Sequence, residues 1–162
     1  MTRADFIQQV SKEQESLRRF LLALCSGDRN EADDIAQEAL IKAYIALERY
    51  REEQKFSTWL FKIAHNTFLD HRRQWQPSND IEEASQMLGD LSADEAFHYQ
   101  ELYAALNTLS PQEQSTLTLF YLQGYSVKEV AQITDASVDA VKQQLSRGRN
   151  NLNLRKILNH ER

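Results

Sequence analysis

The chain has 162 residues, a formal net charge of −5, 4 glycines, 2 prolines and one cysteine. So little turn chemistry argues against a sheet protein, and one cysteine excludes an intrachain disulfide or a thiolate pair for a metal. The opening MTRADFIQQV lacks a signal pattern and no apolar run approaches the ~20 residues of a membrane span, so no membrane insertion and a cytoplasmic location are expected.

Apolar residues recur at steps of three and four in window after window, and no long β-branched alternation occurs, so the expected fold class is all-α. A first helix should run from Arg3 or Ala4 to Ala23, offering Phe6, Val10, Leu17, Phe20, Leu21 and Leu24 for burial, until Ser26, Gly27, Asp28 and Asn30 break it. A second should run from Glu31 to about Tyr50 on a stripe of Ala32, Ile35, Ala36, Ala39, Ala43, Tyr44 and Leu47. After the polar loop REEQK, a third spans Phe56 to Arg73. Its core stripe is Phe56, Leu60, Ile63, Thr67 and Phe68, and Lys62, His65, Asn66, Asp70 and Arg73 form the opposite, solvent-side face. Three such helices can close a small core, giving a domain over 1–75.

Residues 76–91 are acidic, hold Pro77 and Gly89, and show little periodicity, which reads as a linker. A second domain over 92–162 opens at Ser92 with Glu95 three residues on, a capping box; Ser110 with Pro111 and Glu113, and Ser126 with Glu129, repeat the device. Gly124 should end the helix begun at Pro111. Val127 to Ile133 is then a helix of two turns, broken at Thr134, Asp135 and Ala136, and Ser137 caps another reaching about Leu154. Two helices joined this tightly, the first short, suggest a helix-turn-helix.

The acidic total conceals a segregated charge. No Lys or Arg occurs from Gln74 to Val127, whereas Lys142, Arg147, Arg149, Arg155 and Lys156 fall in a stretch with no acid. In a helix-turn-helix the second helix buries one stripe and offers the other to the major groove. Val138, Val141, Leu145, Gly148 and Leu152 make the buried stripe, leaving Ser137, Asp139, Ala140, Lys142, Gln143, Ser146 and Arg147 outside. Gln can pair with adenine edges, Lys and Arg reach guanine or phosphate, and Ser at a helix start can hold a phosphate. A short helix pair inside an ordinary bundle is the competing reading; the basic run falling on the second helix favours DNA.

Two further features stand out. Tyr50, Phe56 and Trp59 cluster beside Lys62, Asn66, Arg72 and Arg73, which suits an unpaired base and its backbone, although Phe56 and Trp59 serve equally as core, the reading favoured for Trp59. Asp34, Glu38, Ile41 and Ile45 form a stripe off the core side of the second helix, fitting either a protein partner or a wider buried stripe.

DDIAQEALIKAYIALERYREEQKFSTWLFKIAHNTFLDHRR resembles region 2 of the extracytoplasmic-function (ECF) group of bacterial sigma factors, in the sigma-70 family, and ALNTLSPQEQSTLTLFYLQGYSVKEVAQITDASVDAVKQQLSRGRNNL resembles region 4. The resemblance implies a three-helix region 2-like domain and a helix-turn-helix region 4-like domain on an acidic linker. It implies that Asp34, Gln37, Glu38, Ile41 and Ile45 dock on the β′ clamp helices of core RNA polymerase. Tyr50, Arg51, Lys55, Phe56, Ser57, Lys62, His65, Asn66, Asp70 and Arg73 would hold the −10 element, and Ser126, Ser137, Asp139, Ala140, Lys142, Gln143, Ser146 and Arg147 the −35 element. Partners implied are core polymerase through the β′ clamp helices and β flap, promoter DNA and an anti-sigma factor, with no cofactor or metal. The chain departs from the family in the turn and reading helix: Asp135 stands where Gly is common, Ala140 where Thr is common, and Gln143 and Gln144 where Ser-Arg is common. These changes bear on −35 affinity and preference.

An enzyme is disfavoured, since His65 and His71 are six apart and no H-E-x-x-H, phosphate loop or nucleophile elbow occurs; the histidines read as exposed on a polar face. The alternative is a conventional helix-turn-helix regulator with an N-terminal sensing or dimerisation domain, which leaves the loop aromatics and the acid-isoleucine stripe without a role. A helical adaptor leaves the basic helix unexplained.

Overall fold

Thr2 starts the first helix by a capping box not anticipated from sequence: its hydroxyl accepts from Asp5 N at 3.1 Å while Thr2 N donates to the Asp5 carboxylate at 3.2 Å. The computed structural model describes residues 1–74 and 101–152, with side chains to 150. The expected linker 76–91, the Ser92 to Glu95 cap and the chain beyond Leu152 lie outside the described residues.

Helix α1 is Arg3–Leu24, α2 Arg29–Ile45 and α3 Phe56–Gln74, with a 3-10 turn at Ala46–Arg49. Ser26 and Gly27 at φ 56° and 85° reverse the chain after α1, and Asp28 caps α2 by accepting from Glu31 N. The expected single helix to Tyr50 is shortened because its last turn tightens. A three-residue period aligns Leu47 with Tyr50, and both pack on the core. The Tyr50 ring then meets Trp59 and Phe56 at 5.0 and 5.9 Å.

In the second half, the helical segment 101–107 is α4, Pro111–Leu117 is α5, Val127–Thr134 is α6 and Val138–Leu152 is α7. Ser110 caps α5 with Pro111 in its first turn. A π turn over Thr118–Leu122 and Gly124 at φ 78° then end it. Ser126 and Glu129 form the expected capping box on α6. Asp135 takes the left-handed conformation, φ 56° and ψ 41°, which short polar side chains tolerate. The Ser137 hydroxyl then accepts from Ala140 N at 3.0 Å to start α7. Val141, Leu145 and Gly148 are buried as expected. Val138 is not: it is 40% exposed, because as the first residue of α7 it stands at the end of the packed stripe.

One hydrophobic core runs through both halves, from Phe20, Ile35 and Phe68 to Leu117, Ile133 and Val141. The continuity comes from α3, which buries a second face. Thr58, Phe61 and His65 lie off the first stripe and are all buried, with Phe61 packed between Phe20 and Tyr125 at 5.3 and 5.4 Å between ring centres. The turn after α1 meets the second half as well, where Gly27 leaves room for the Tyr103 ring: a Cβ there would stand 3.2 Å from it.

Candidate nucleic-acid interface

On α2 the core side is filled by small residues, Ala32, Ala39 and Ala43 with Ile35. The opposite stripe is open: Ile41 and Ile45 are 61% and 68% exposed, with Asp34 and Gln37 exposed beside them. Tyr44, expected on the core stripe, is exposed too, its ring 5.7 Å from Phe6; a large ring does not fit between the alanines and swings out to widen the apolar patch. Glu38 is half-buried and held. Its carboxylate meets His71 Nε2 at 2.5 Å and Lys42 Nζ at 3.5 Å, and these partners, the His71 bond foremost, hold its carboxyl below the usual range. Lys42 also reaches Asp70, and Asp70 reaches Arg73 at 3.5 Å. A fixed, charged rim thus borders two exposed isoleucines. Sequence reasoning placed Glu38 and Asp70 in separate sites; the structure joins them through Lys42.

The loop after Tyr50 is ordered from within. The Tyr50 hydroxyl donates to Gln54 O at 2.7 Å and Gln54 N donates to Arg51 O at 2.9 Å. That leaves Arg51 and Lys55 exposed at its rim, while Phe56 and Ser57 are buried and Trp59 is half-buried among Tyr50 and Phe56. Along α3, Asn66, Asp70 and Arg73 are exposed as the polar face requires.

His65 is not on that face in contact with solvent. Its exposure is 0%, and its Nδ1 lies 3.0 Å from Ser115 Oγ on α5. Burial lowers its pKa to about 4, offset in small part by Gln112, so the ring is neutral. Both histidines read as exposed from sequence are therefore engaged, His65 in the seam and His71 half-buried against Glu38. Lys62 is half-buried, 3.9 Å from Asp135, and Lys55 pairs with Glu129 at 3.0 Å. Arg72 is likewise structural. It donates to Leu24 O at 3.0 Å, lies over the Phe68 ring and faces Glu31, whose carboxyl is pushed up by burial despite that cation.

On α7, Ser137, Asp139, Lys142, Gln143, Ser146 and Arg147 are exposed, Ala140 is half-buried, and Ser126 is exposed at the start of α6. This is a row of cations and hydrogen-bonding groups on the second helix of a helix-turn-helix. Gln144 faces inward instead, accepting from Thr116 Oγ1. Among the described residues no cluster of three His, Cys, Asp or Glu could hold a metal, and no helix is long and apolar enough to cross a membrane.

The family model Sigma-70 region 2 matches residues 10–76, and Sigma-70, region 4 matches residues 99–152. The chain is 33% identical to the ECF RNA polymerase sigma factor SigW of Bacillus subtilis over 138 residues, covering 76% of this chain and 74% of that one. It is 32% identical to the ECF RNA polymerase sigma-E factor of Escherichia coli over 139 residues, covering 76% and 71%. Among solved structures, the fold is that of the sigma factor RpoE from Bartonella quintana, solved with the anti-sigma factor NepR. The TM-score is 0.72 at 24% identity, over 98% of this chain and 99% of that one. The two region models in this order, with relatives above 30% identity over more than two thirds of their length, show the family: the chain is a member of the ECF group of sigma-70 family sigma factors, which direct RNA polymerase to promoters to initiate transcription.

Proposed function

We propose that the α2 stripe of Asp34, Gln37, Glu38, Ile41 and Ile45 docks on the β′ clamp helices of core polymerase. The loop from Tyr50 with α3 then holds the −10 strand, and α7 with Ser126 reads the −35 element. The observation that carries this reading is the pair of exposed isoleucines on α2, edged by a Glu38 carboxylate held by His71 and Lys42. Exposed large apolar side chains beside fixed charge fit a protein surface better than solvent. The same division leaves Asn66 and Arg73 for single-stranded DNA and Lys142, Gln143 and Arg147 for a duplex groove. The β flap is the second contact on polymerase, and an anti-sigma factor restrains the chain in the cytoplasm. The protein contributes binding free energy and no bond chemistry.

In vitro transcription with core polymerase on a genomic promoter library tests the whole assignment. Start sites sharing paired −35 and −10 motifs are expected. Transcription that occurs equally without the chain overturns it.

A further inference from the structure

The α2 stripe proposed for docking is held from outside α2. Glu38 keeps 45% of its side chain exposed, yet each of its two carboxylate oxygens has its own holder. Oε2 accepts from His71 Nε2 on α3 at 2.5 Å, and Oε1 faces Lys42 Nζ, one turn along α2, at 3.5 Å. Lys42 is itself drawn towards α3, where its Nζ donates to Thr67 Oγ1 at 3.4 Å and lies 3.9 Å from Asp70. Thr67 is fully buried and its hydroxyl donates to Ile63 O, so that anchor is part of the packed helix. A glutamate on an open helix face ordinarily samples several rotamers, and immobilising it on association costs binding free energy. Here the rotamer is fixed within the chain before a partner arrives. An ionised carboxylate offers about four lone-pair sites. His71 and Lys42 take one each, so an acceptor site remains on both oxygens. Asp34 stands exposed one turn earlier on the same stripe, and the rim therefore presents two acids beside the apolar contact of Ile41 and Ile45.

Resting on the docking reading of α2, we propose that His71 is a positioning residue for polymerase binding: from α3, its Nε2 fixes the Glu38 carboxylate in the orientation that meets a cation of the docked surface. A guanidinium fits best, because its fork matches two acid oxygens held in a known direction. His71 acts through Glu38 and not by touching the partner. The Glu38 carboxyl lies below its usual range, with the His71 bond as the first cause, so it is ionised and can only accept. That assigns the proton of the bond to Nε2.

Binding of the full chain to core polymerase is measured for His71→Ala, His71→Gln and His71→Asn. The amide nitrogen of glutamine reaches where imidazole Nε2 stands, whereas that of asparagine reaches only as far as Nδ1. His71→Ala and His71→Asn should weaken binding about three- to tenfold, as expected when one long side chain must be immobilised on association, and His71→Gln should stay within about twofold of the native chain. In a Glu38→Ala background, which itself weakens binding, adding His71→Ala should change the affinity no further. Carbon-13 shifts of the Glu38 carboxyl supply a readout that looser packing alone would not move. Its titration should rise towards the usual carboxylate range in His71→Ala and His71→Asn and stay low in His71→Gln. Should His71→Ala fold poorly, the glutamine and asparagine variants, one methylene apart, carry the comparison. A loss that is equal with and without Glu38, or an affinity equal in the glutamine and asparagine variants, overturns the positioning role and leaves the docking reading standing. Native affinity in His71→Ala does the same. If Glu38→Ala and Ile41→Lys both bind core polymerase as the native chain does, the docking reading falls and the role of His71 with it.

Discussion

His65 Nδ1 on α3 lies 3.0 Å from the Ser115 hydroxyl on α5, in a seam where neither residue is exposed. The unfolded side chain takes a proton near 6.5 and the folded one only near about 4. Between those values the unfolded or opened chain binds more protons, so the packed form is fully stable above 6.5 and loses stability as pH falls, down to about 4. A shift of that size corresponds to about 3 kcal/mol when complete. Thermal unfolding of the native chain should therefore soften on acidification more steeply than that of His65→Asn, which has no proton to take up. Parallel pH profiles for the two would remove His65 from the account.

Arg72 and Arg73 are neighbours with different work. The Arg72 side chain is 16% exposed against a Glu31 that is 14% exposed, whereas Arg73 is 75% exposed and, among the described residues, pairs with Asp70 one turn before it. Removing the charge that offsets a buried carboxylate costs about 3 kcal/mol, so Arg72→Leu should lower the unfolding midpoint clearly. Arg73→Leu should stay within about 0.5 kcal/mol of the native chain, as exposed changes do, and weaken single-stranded DNA binding instead. Denaturant melts with a DNA titration separate them; the reverse pattern would make Arg72 the DNA contact.

Local signals in the sequence were legible wherever one residue and its near neighbours decide the outcome. The Ser126 box, the Ser110 and Ser137 caps and the left-handed Asp135 all follow from side-chain chemistry within three or four positions. The open stripe of Ile41 and Ile45 was legible because small residues already filled the other side of α2. What periodicity missed was the second buried face of α3. Thr58, Phe61 and His65 do recur at helical spacing, but two of the three are polar, and the partner that buries His65 is 50 residues away. A single apolar stripe marks one packing partner, and α3 has two. Tyr44 failed for the opposite reason, a ring too large for the alanine side it was assigned to.

Gly148 sits where α7 crosses α5. A Cβ there would fall 2.5 Å from Leu117 Cδ1 and 3.0 Å from its Cγ, and Leu117 is itself buried. Alanine regains about 1 kcal/mol of helix propensity, but overpacking a filled site costs about 1–3 kcal/mol. Gly148→Ala should therefore leave the helix-turn-helix no more stable and, where Leu117 cannot move, about 2–4 °C less so. Calorimetry decides it, and a raised midpoint would mean that Leu117 swings aside freely.

Ile41→Lys separates docking from folding. The side chain is already largely in solvent, so helicity and the unfolding midpoint should hold to within about 0.5 kcal/mol. Core polymerase capture should be lost, because a lysine would have to be desolvated in an apolar contact. Undiminished capture in a pull-down would sink the docking role of α2.

Asn66 tests the division between strand capture and duplex anchoring. It is exposed on α3, while the cations Lys142 and Arg147 stand on α7. The duplex binding proposed for α7 should rest largely on phosphate neutralisation and fall steeply with salt. An amide, by contrast, adds hydrogen bonds to a base that only an opened strand presents. Asn66→Ala should therefore reduce permanganate-reactive opening at −10 while leaving protection at −35 and its salt slope unchanged. Equal losses in the two footprints would mean that Asn66 acts through the chain's overall hold on promoter DNA, and that base capture lies with the loop alone.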